Sequence, residues 1–177
     1  GDEISIDIRL PLKDSATINL PDLKDSSQIT ALAELSFKDS DKKDQKISSN
    51  KIIITVNSDL KLEARDNATD STHKINWILT NNFHPLKNLA LSADVLGDVA
   101  VELPTPPPAG EVKFDATAKK ITWTIAEMPD SVDTLALPIT ITLNKIDPVQ
   151  ELLVSKVHVQ ADDTITGEKL DFMGEEI

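Results

Sequence analysis

Residues 52–64 read IIITVNSDLKLEA, and the even positions Ile52, Ile54, Val56, Ser58, Leu60, Leu62 and Ala64 keep one parity, apolar except at Ser58, through all thirteen. Alternation at period two is the signature of a strand with one buried face. Strands in globular proteins seldom exceed ~10 residues, so this run is read as two consecutive strands belonging to different units. The junction then falls at Asn57, Ser58 and Asp59. It holds neither glycine nor proline and leaves little room for a loop, which predicts a stiff connection.

Downstream the same period continues. Ile75, Trp77 and Leu79 point inward, Lys74, Asn76, Ile78 and Thr80 outward, and Asn81 and Asn82 suit a bend. Leu89, Leu91, Ala93 and Val95 alternate next, then Gly97 and Asp98 turn the chain into Val99, Val101 and Leu103. The segment PTPPPAG (104–110) lacks the amide donors a central strand needs, so it is an edge or a loop crossing. Val112 and Phe114 lead through the turn DATAKK to Ile121, Trp123 and Ile125, with Thr122 and Thr124 on the other face. Pro129 to Asp133 reads as a loop, Leu137, Ile139, Ile141 and Leu143 as a strand, and Ser155, Val157, Val159 and Ala161 as the last clear one. Leu170 and Phe172 suit a final edge strand.

Upstream, Ile4, Ile6, Ile8 and Leu10 alternate with Ser5, Asp7 and Arg9 before the polar crossing SATINLPDLKDSS. Ile29, Ala31, Ala33, Leu35 and Phe37 form a further strand, and KDSDKKDQK an exposed turn. There is an internal echo: ISIDIRL against PITITL, and LSFKDSDKKDQK against VHVQADDTITGEK. The pattern predicts an all-β chain, an antiparallel immunoglobulin-like β-sandwich over 58–177, preceded in 1–57 by the closing strands of an earlier copy. Three strands with one apolar face stand poorly alone, so the N-terminal group should lean on its neighbour or self-associate through exposed edges and faces.

Composition narrows the function. Eighteen basic against 30 acidic residues give a formal charge of −12 over 177 residues, a field that repels nucleic acid and anionic membranes. The longest uncharged apolar run, Thr134 to Asn144, is about half of what a bilayer crossing requires. The absence of cysteine removes thiol nucleophiles, disulfides and cysteine-held metals. A chain that starts at Gly1 with no apolar leader is expected to be a processed or trimmed fragment.

The strands HKINWILTNN and LKNLALSADV, the proline-marked crossing, KKITWTIAEMP, and the closing LPITITL and VSKVHVQADD together resemble the DUF11-like repeat of bacterial cell-surface proteins. Around the second tryptophan Trp123 and Ile125 fit that family's pattern, while Ala126 and Ser131 stand where glycines are usual. The resemblance covers about residues 58–170. It implies an immunoglobulin-like spacer or adhesion module outside the cell, with neighbouring repeats as its partners and no catalytic residues to carry over.

Both tryptophans take the inward parity, which favours core packing over a sugar-stacking platform; six aromatics and no tyrosine also weigh against a stacking surface. The acidic loops offer Asp39, Asp41, Asp44, Asp162 and Asp163 as weak calcium candidates, without the glycine and distant glutamate of an EF-hand. Solvated turns are the preferred reading, and no other cofactor is expected. His73, His84 and His158 sit on separate elements, and the chain has no GxSxG elbow and only five glycines, so no enzyme is expected. Lys74 and Lys156 face outward, against an intramolecular isopeptide bond. The alternative to a spacer is a carbohydrate- or protein-binding module using PTPPPAG and the 126–136 loop.

Overall fold

A computed structural model of the chain describes residues 28–69, 71–145 and 152–174. The alternation at Ile4–Leu10 and the crossing at 15–27 lie outside the described residues. Thirteen strands and no helix make up the described part: β1 Gln28–Ala31, β2 Glu34–Lys38, β3 Asp44–Ser48, β4 Ile52–Thr55, β5 Lys61–Thr69, β6 Thr72–Thr80, β7 Leu86–Asp94, β8 Val99–Glu102, β9 Glu111–Asp115, β10 Lys120–Met128, β11 Thr134–Leu143, β12 His158–Asp163 and β13 Lys169–Met173.

Strands β5 to β13 form two antiparallel sheets packed face to face, one ordered β5-β6-β11-β8 and the other β13-β12-β7-β10-β9. The strands β5, β6, β11 and β8 stand in the A, B, E and D places of an immunoglobulin-like sandwich, β13, β12 and β7 in the G, F and C places, and the β9–β10 hairpin widens the second sheet. Each sheet buries one face because its sequence alternates. Within one sheet Trp77 and Ile75 of β6 stand opposite Leu137 and Ile139 of β11, with Leu79 and Ile141 on the same face, and within the other Leu89, Leu91 and Ala93 meet Ile125, Trp123 and Ile121; all are nearly or wholly buried. At ~1.5–3 kcal/mol for each large side chain removed from water, this seam supplies the main drive for folding.

The connection between β10 and β11 is Pro129–Asp133, the loop expected there, since β10 runs to Met128 and β11 begins at Thr134; the wider 126–136 span takes in the ends of both strands. The PTPPPAG crossing leaves the first sheet after β8 and joins the second at β9, with a cis Thr105–Pro106 bond. The sandwich edges are studded with charge: Glu63 pairs with Arg65 on β5 at 2.6 Å, and Glu111 with Lys113 on β9 at 2.8 Å. Such edges discourage strand-to-strand aggregation.

The segment expected as one strand from Ile29 to Phe37 is two. β1 pairs with β4, whereas β2 pairs with β3, so the chain changes partner at Leu32–Ala33. Ser49 holds the change of direction, its amide donating to the Ala33 carbonyl at 2.8 Å and its hydroxyl accepting from the Ala33 amide at 3.0 Å. Both are two-stranded sheets, and Leu35, Phe37, Ile47, Ile52, Ile53 and Ile54 on them are 41 to 62% exposed.

From Val56 to Leu60 the chain leaves strand conformation, and Leu60 is the first core residue of the sandwich. It enters β5 opposite Thr80, the last residue of β6. The final strand β13 starts opposite Asp162 and ends opposite His158, so it runs away from the end at which Ser58 sits against Asp163.

Candidate functional site

The described residues bury three polar side chains at that end of the sandwich: Asn81, His84 and Asp163 are 0, 1 and 0% exposed. Local structure brings them together. On β12 the inward positions are Val159, Ala161 and Asp163, so the alternation that buries two apolar residues carries a carboxylate inward with them. A register shift between Gln160 and Asp162 opposite β7, where Asn88 has φ 52°, sets Asp163 opposite Leu86 at the start of β7. Asn88 also donates through Nδ2 to Asp162 Oδ2 at 2.8 Å. His84 and Asn81 lie in the short connection just before Leu86.

Asp163 is bonded on both oxygens. Its Oδ2 accepts from the Ser58 amide and from His84 Nδ1, each at 2.8 Å. Its Oδ1 accepts from the Ile165 and Thr166 amides at 2.9 and 3.0 Å. Burial alone would raise the carboxyl's pKa, but the His84 bond and the Thr166, Ile165 and Ser58 amides outweigh it and hold the group below the usual carboxylate range. Because the carboxylate accepts, His84 Nδ1 carries the proton.

Ser58 donates its hydroxyl to Asn81 Oδ1, with the His84 carbonyl 3.4 Å away, and Asn81 Nδ2 donates to that same carbonyl at 2.8 Å. The neighbouring Asp59 accepts the Asn82 amide at 2.8 Å and Asn82 Nδ2 at 3.0 Å. The set contains a serine, a histidine and an aspartate, yet the serine hydroxyl is directed at an amide oxygen and a carbonyl, and the imidazole at the carboxylate. Chemically this is a tie between chain segments rather than an activated nucleophile.

The acidic candidates are dispersed. Asp39 folds back on its own turn, Oδ1 accepting from the Asp41 and Lys43 amides at 2.9 Å each and Oδ2 from Gln45 Nε2 at 2.7 Å. Those bonds hold its carboxyl below the usual range. Asp41 lies 4.0 Å from Lys43 Nζ and Asp44 3.9 Å from Lys38 Nζ. Asp162 and Asp163 are on a different sheet, and among the described residues no group of three or more metal-ligating side chains converges.

The other histidines are paired near the surface. His73 Nδ1 meets Asp66 at 2.7 Å, and His158 Nε2 meets Asp171 at 2.7 Å. Bonds from Gln160 first and His158 second keep the Asp171 carboxyl low. Trp77 and Trp123 are both fully buried, and Lys74 and Lys156 are exposed. An open groove of about 710 Å³ runs between the 103–110 crossing and the edge strand β9, lined by Leu103, Pro104, Pro107, Val112, Lys113 and Phe114.

Reasoning from sequence placed Asn81 and Asn82 in a bend and treated His84 as isolated. The signal for the cluster was the parity of Asp163: an acid on the inward face of a strand must find donors.

No protein-family model matches the sequence, and no curated protein matches it. Among solved structures, the chain is similar to the major pilin subunit BcpA of Bacillus cereus, at 10% identity and a TM-score of 0.48 over 82% of this chain and 47% of that one. It is also similar to the Fcho1 Mu homology domain of Danio rerio with bound Eps15 peptide, at 8% identity and a TM-score of 0.44 over 86% of this chain and 74% of that one. The chain thus spans about half the length of the pilin.

Proposed function

We propose that the chain is a non-catalytic structural spacer or adhesion module of a bacterial cell-surface or secreted protein, working beside neighbouring repeats. The observation that carries this reading is the junction. Ser58 and Asp59, the residues between the N-terminal strands and the sandwich, are each fastened by side-chain hydrogen bonds to the loops at one end of it. A spacer has to transmit orientation from one unit to the next, and a junction fastened on consecutive residues does that where a glycine-rich linker would not. The resemblance to the DUF11-like repeat supports the same reading. The exposed isoleucines of β4 and the apolar face of β2–β3 suit contact with a further copy or an adjoining repeat.

The test uses the natural lack of cysteine. Spin labels on Lys43→Cys and Lys120→Cys report the distance across the junction by double electron–electron resonance. A narrow distribution is expected; a broad one, of the width a free linker gives, overturns the spacer reading.

A second reading, a binding module for a glycan or a surface protein, is favoured by the groove along β9, which is an edge strand among the described residues and whose apolar lining suits an extended partner. Binding on a glycan array or to a surface-protein library that is lost in Phe114→Ala supports it, and no binding in either overturns it.

A further inference from the structure

We infer that Asp163 is the latch of the junction: one buried carboxylate fixes the angle at which the N-terminal strands leave the sandwich. The inference rests on the spacer reading and names the device behind it. Asp163 gathers three segments far apart in sequence, namely Ser58 at the junction, His84 in the β6–β7 connection, and Ile165 and Thr166 in the turn after β12. Ser58 and Asp163 are 105 residues apart, and their bond joins the last residue before Asp59 directly to the core of the second sheet.

The division of labour between the two carboxylate oxygens makes the device specific. Oδ1 serves only the turn that closes β12 onto β13, so the turn is held whatever the junction does. Oδ2 serves the junction and the imidazole together. His84 therefore aims the carboxylate and Ser58 reads that aim, which makes His84 a positioning residue. The surrounding backbone is already fixed by independent bonds. The Asn81 amide donates to the Asp133 carbonyl at 3.0 Å, the Thr164 amide to Pro85 at 3.1 Å, and the Asp163 amide to Glu168 at 2.9 Å. The junction itself is held to these loops by the Ser58 hydroxyl on Asn81 and by Asp59 on Asn82, and the carboxylate adds the one bond that reaches from its backbone to the core of the second sheet.

Asp163→Asn tests the assignment. The side-chain amide can keep its oxygen on the Ile165 and Thr166 amides, but it then turns N–H groups toward His84, which can accept through Nδ1 as the other tautomer, and toward the Ser58 amide, a donor that it cannot satisfy. The expected result is a rise of about ten- to a hundredfold in hydrogen exchange at the Ser58 amide, with amides of Leu91 and Trp123 still protected, and a broader distance distribution between labels at positions 43 and 120. Ser58→Pro removes the amide donor to Asp163 together with the hydroxyl bond to Asn81 and leaves the His84–Asp163 pair in place; Ser58→Ala, which loses the hydroxyl alone, is the reference it is read against, and these two variants decide the matter where Asp163→Asn loses the core. A broader distribution in Ser58→Pro than in Ser58→Ala supports the latch. The same distribution in the two folded variants overturns it while leaving the spacer reading standing, whereas a broad distribution in the unmodified chain overturns the spacer reading itself.

Discussion

Trp123 donates its indole Nε1 proton to the carbonyl of Ala109 at 2.8 Å, tying the proline-rich crossing to the centre of the second sheet. Trp77, equally buried in the first sheet, has no hydrogen-bond partner for its Nε1 among the described residues. A buried donor without an acceptor costs ~1–3 kcal/mol. Replacing Trp77 by Phe relieves that cost and offsets part of the lost packing, whereas Trp123→Phe loses both packing and the hydrogen bond to the Ala109 carbonyl. Urea denaturation should show Trp123→Phe destabilised by ~1–3 kcal/mol more than Trp77→Phe. Equal losses would contradict the assignment.

Gly110 ends the same crossing with φ +62°, and a Cβ there would stand 2.0 Å from the Thr124 carbonyl oxygen of β10. The neighbour is sheet backbone and has nowhere to go. Gly110→Ala is therefore expected to cost at least ~2 kcal/mol. Gly167, at φ +74° with nothing within 4 Å of its Cβ position, provides the control. Gly167→Ala carries the backbone strain alone, roughly 1 kcal/mol, so the thermal midpoint of Gly110→Ala should lie clearly below that of Gly167→Ala.

The buried carboxylate at the junction sets an acid response. Its pKa in the folded chain is held below the ordinary value of 3.8 by His84 and three amides against the opposing effect of burial. A lowered folded pKa means the stabilisation is complete above the unfolded value and fades as pH drops through the folded one. Stability at neutral pH is thus untouched by Asp163 titration, and the loss is confined to pH below about 4. Melts of the unmodified chain and Asp163→Asn should differ most at pH 6–7 and converge toward pH 2; a constant gap across the range would show that the carboxylate's charge is irrelevant.

The N-terminal sheets make a prediction about association. Isolated two-stranded sheets are marginal in water, and here they expose Ile52, Ile53 and Ile54 together with Leu35 and Ile47. Sedimentation should reveal concentration-dependent self-association, weakened by the pair Ile52→Lys and Ile54→Lys. A chain that sediments as a monomer at every concentration rules this contact out.

The sandwich was legible because each of its long strands carries its own alternation, and Trp77, Trp123, Leu137 and Ile139 all fall on the face their parity assigns. Alternation is silent about partners. Ile29 to Phe37 keeps one parity across Leu32–Ala33, yet the chain switches there from β4 to β3, since pairing is settled by Ser49 twelve or more residues on. The polar knot escaped for a related reason. Asn81, His84 and Ser58 lie in short irregular segments with no period to read, and their geometry is set by side-chain to backbone bonds across long sequence separations. Asp163 alone left a trace, by following Val159 and Ala161 on the inward parity.

The register of the outermost strands has a mechanical consequence. β5 begins opposite Thr80 and β13 finishes opposite His158, at the other end of its sheet, so tension drawn through Ser58 and Met173 pulls the two strands lengthwise in opposite directions. Antiparallel hydrogen bonds lie perpendicular to their strands, and all nine residue pairs between β5 and β6 then bear the load at once in shear instead of parting one after another like a zip. A sandwich strung this way yields to force only when a whole ladder gives, so a row of them would hold its length under drag.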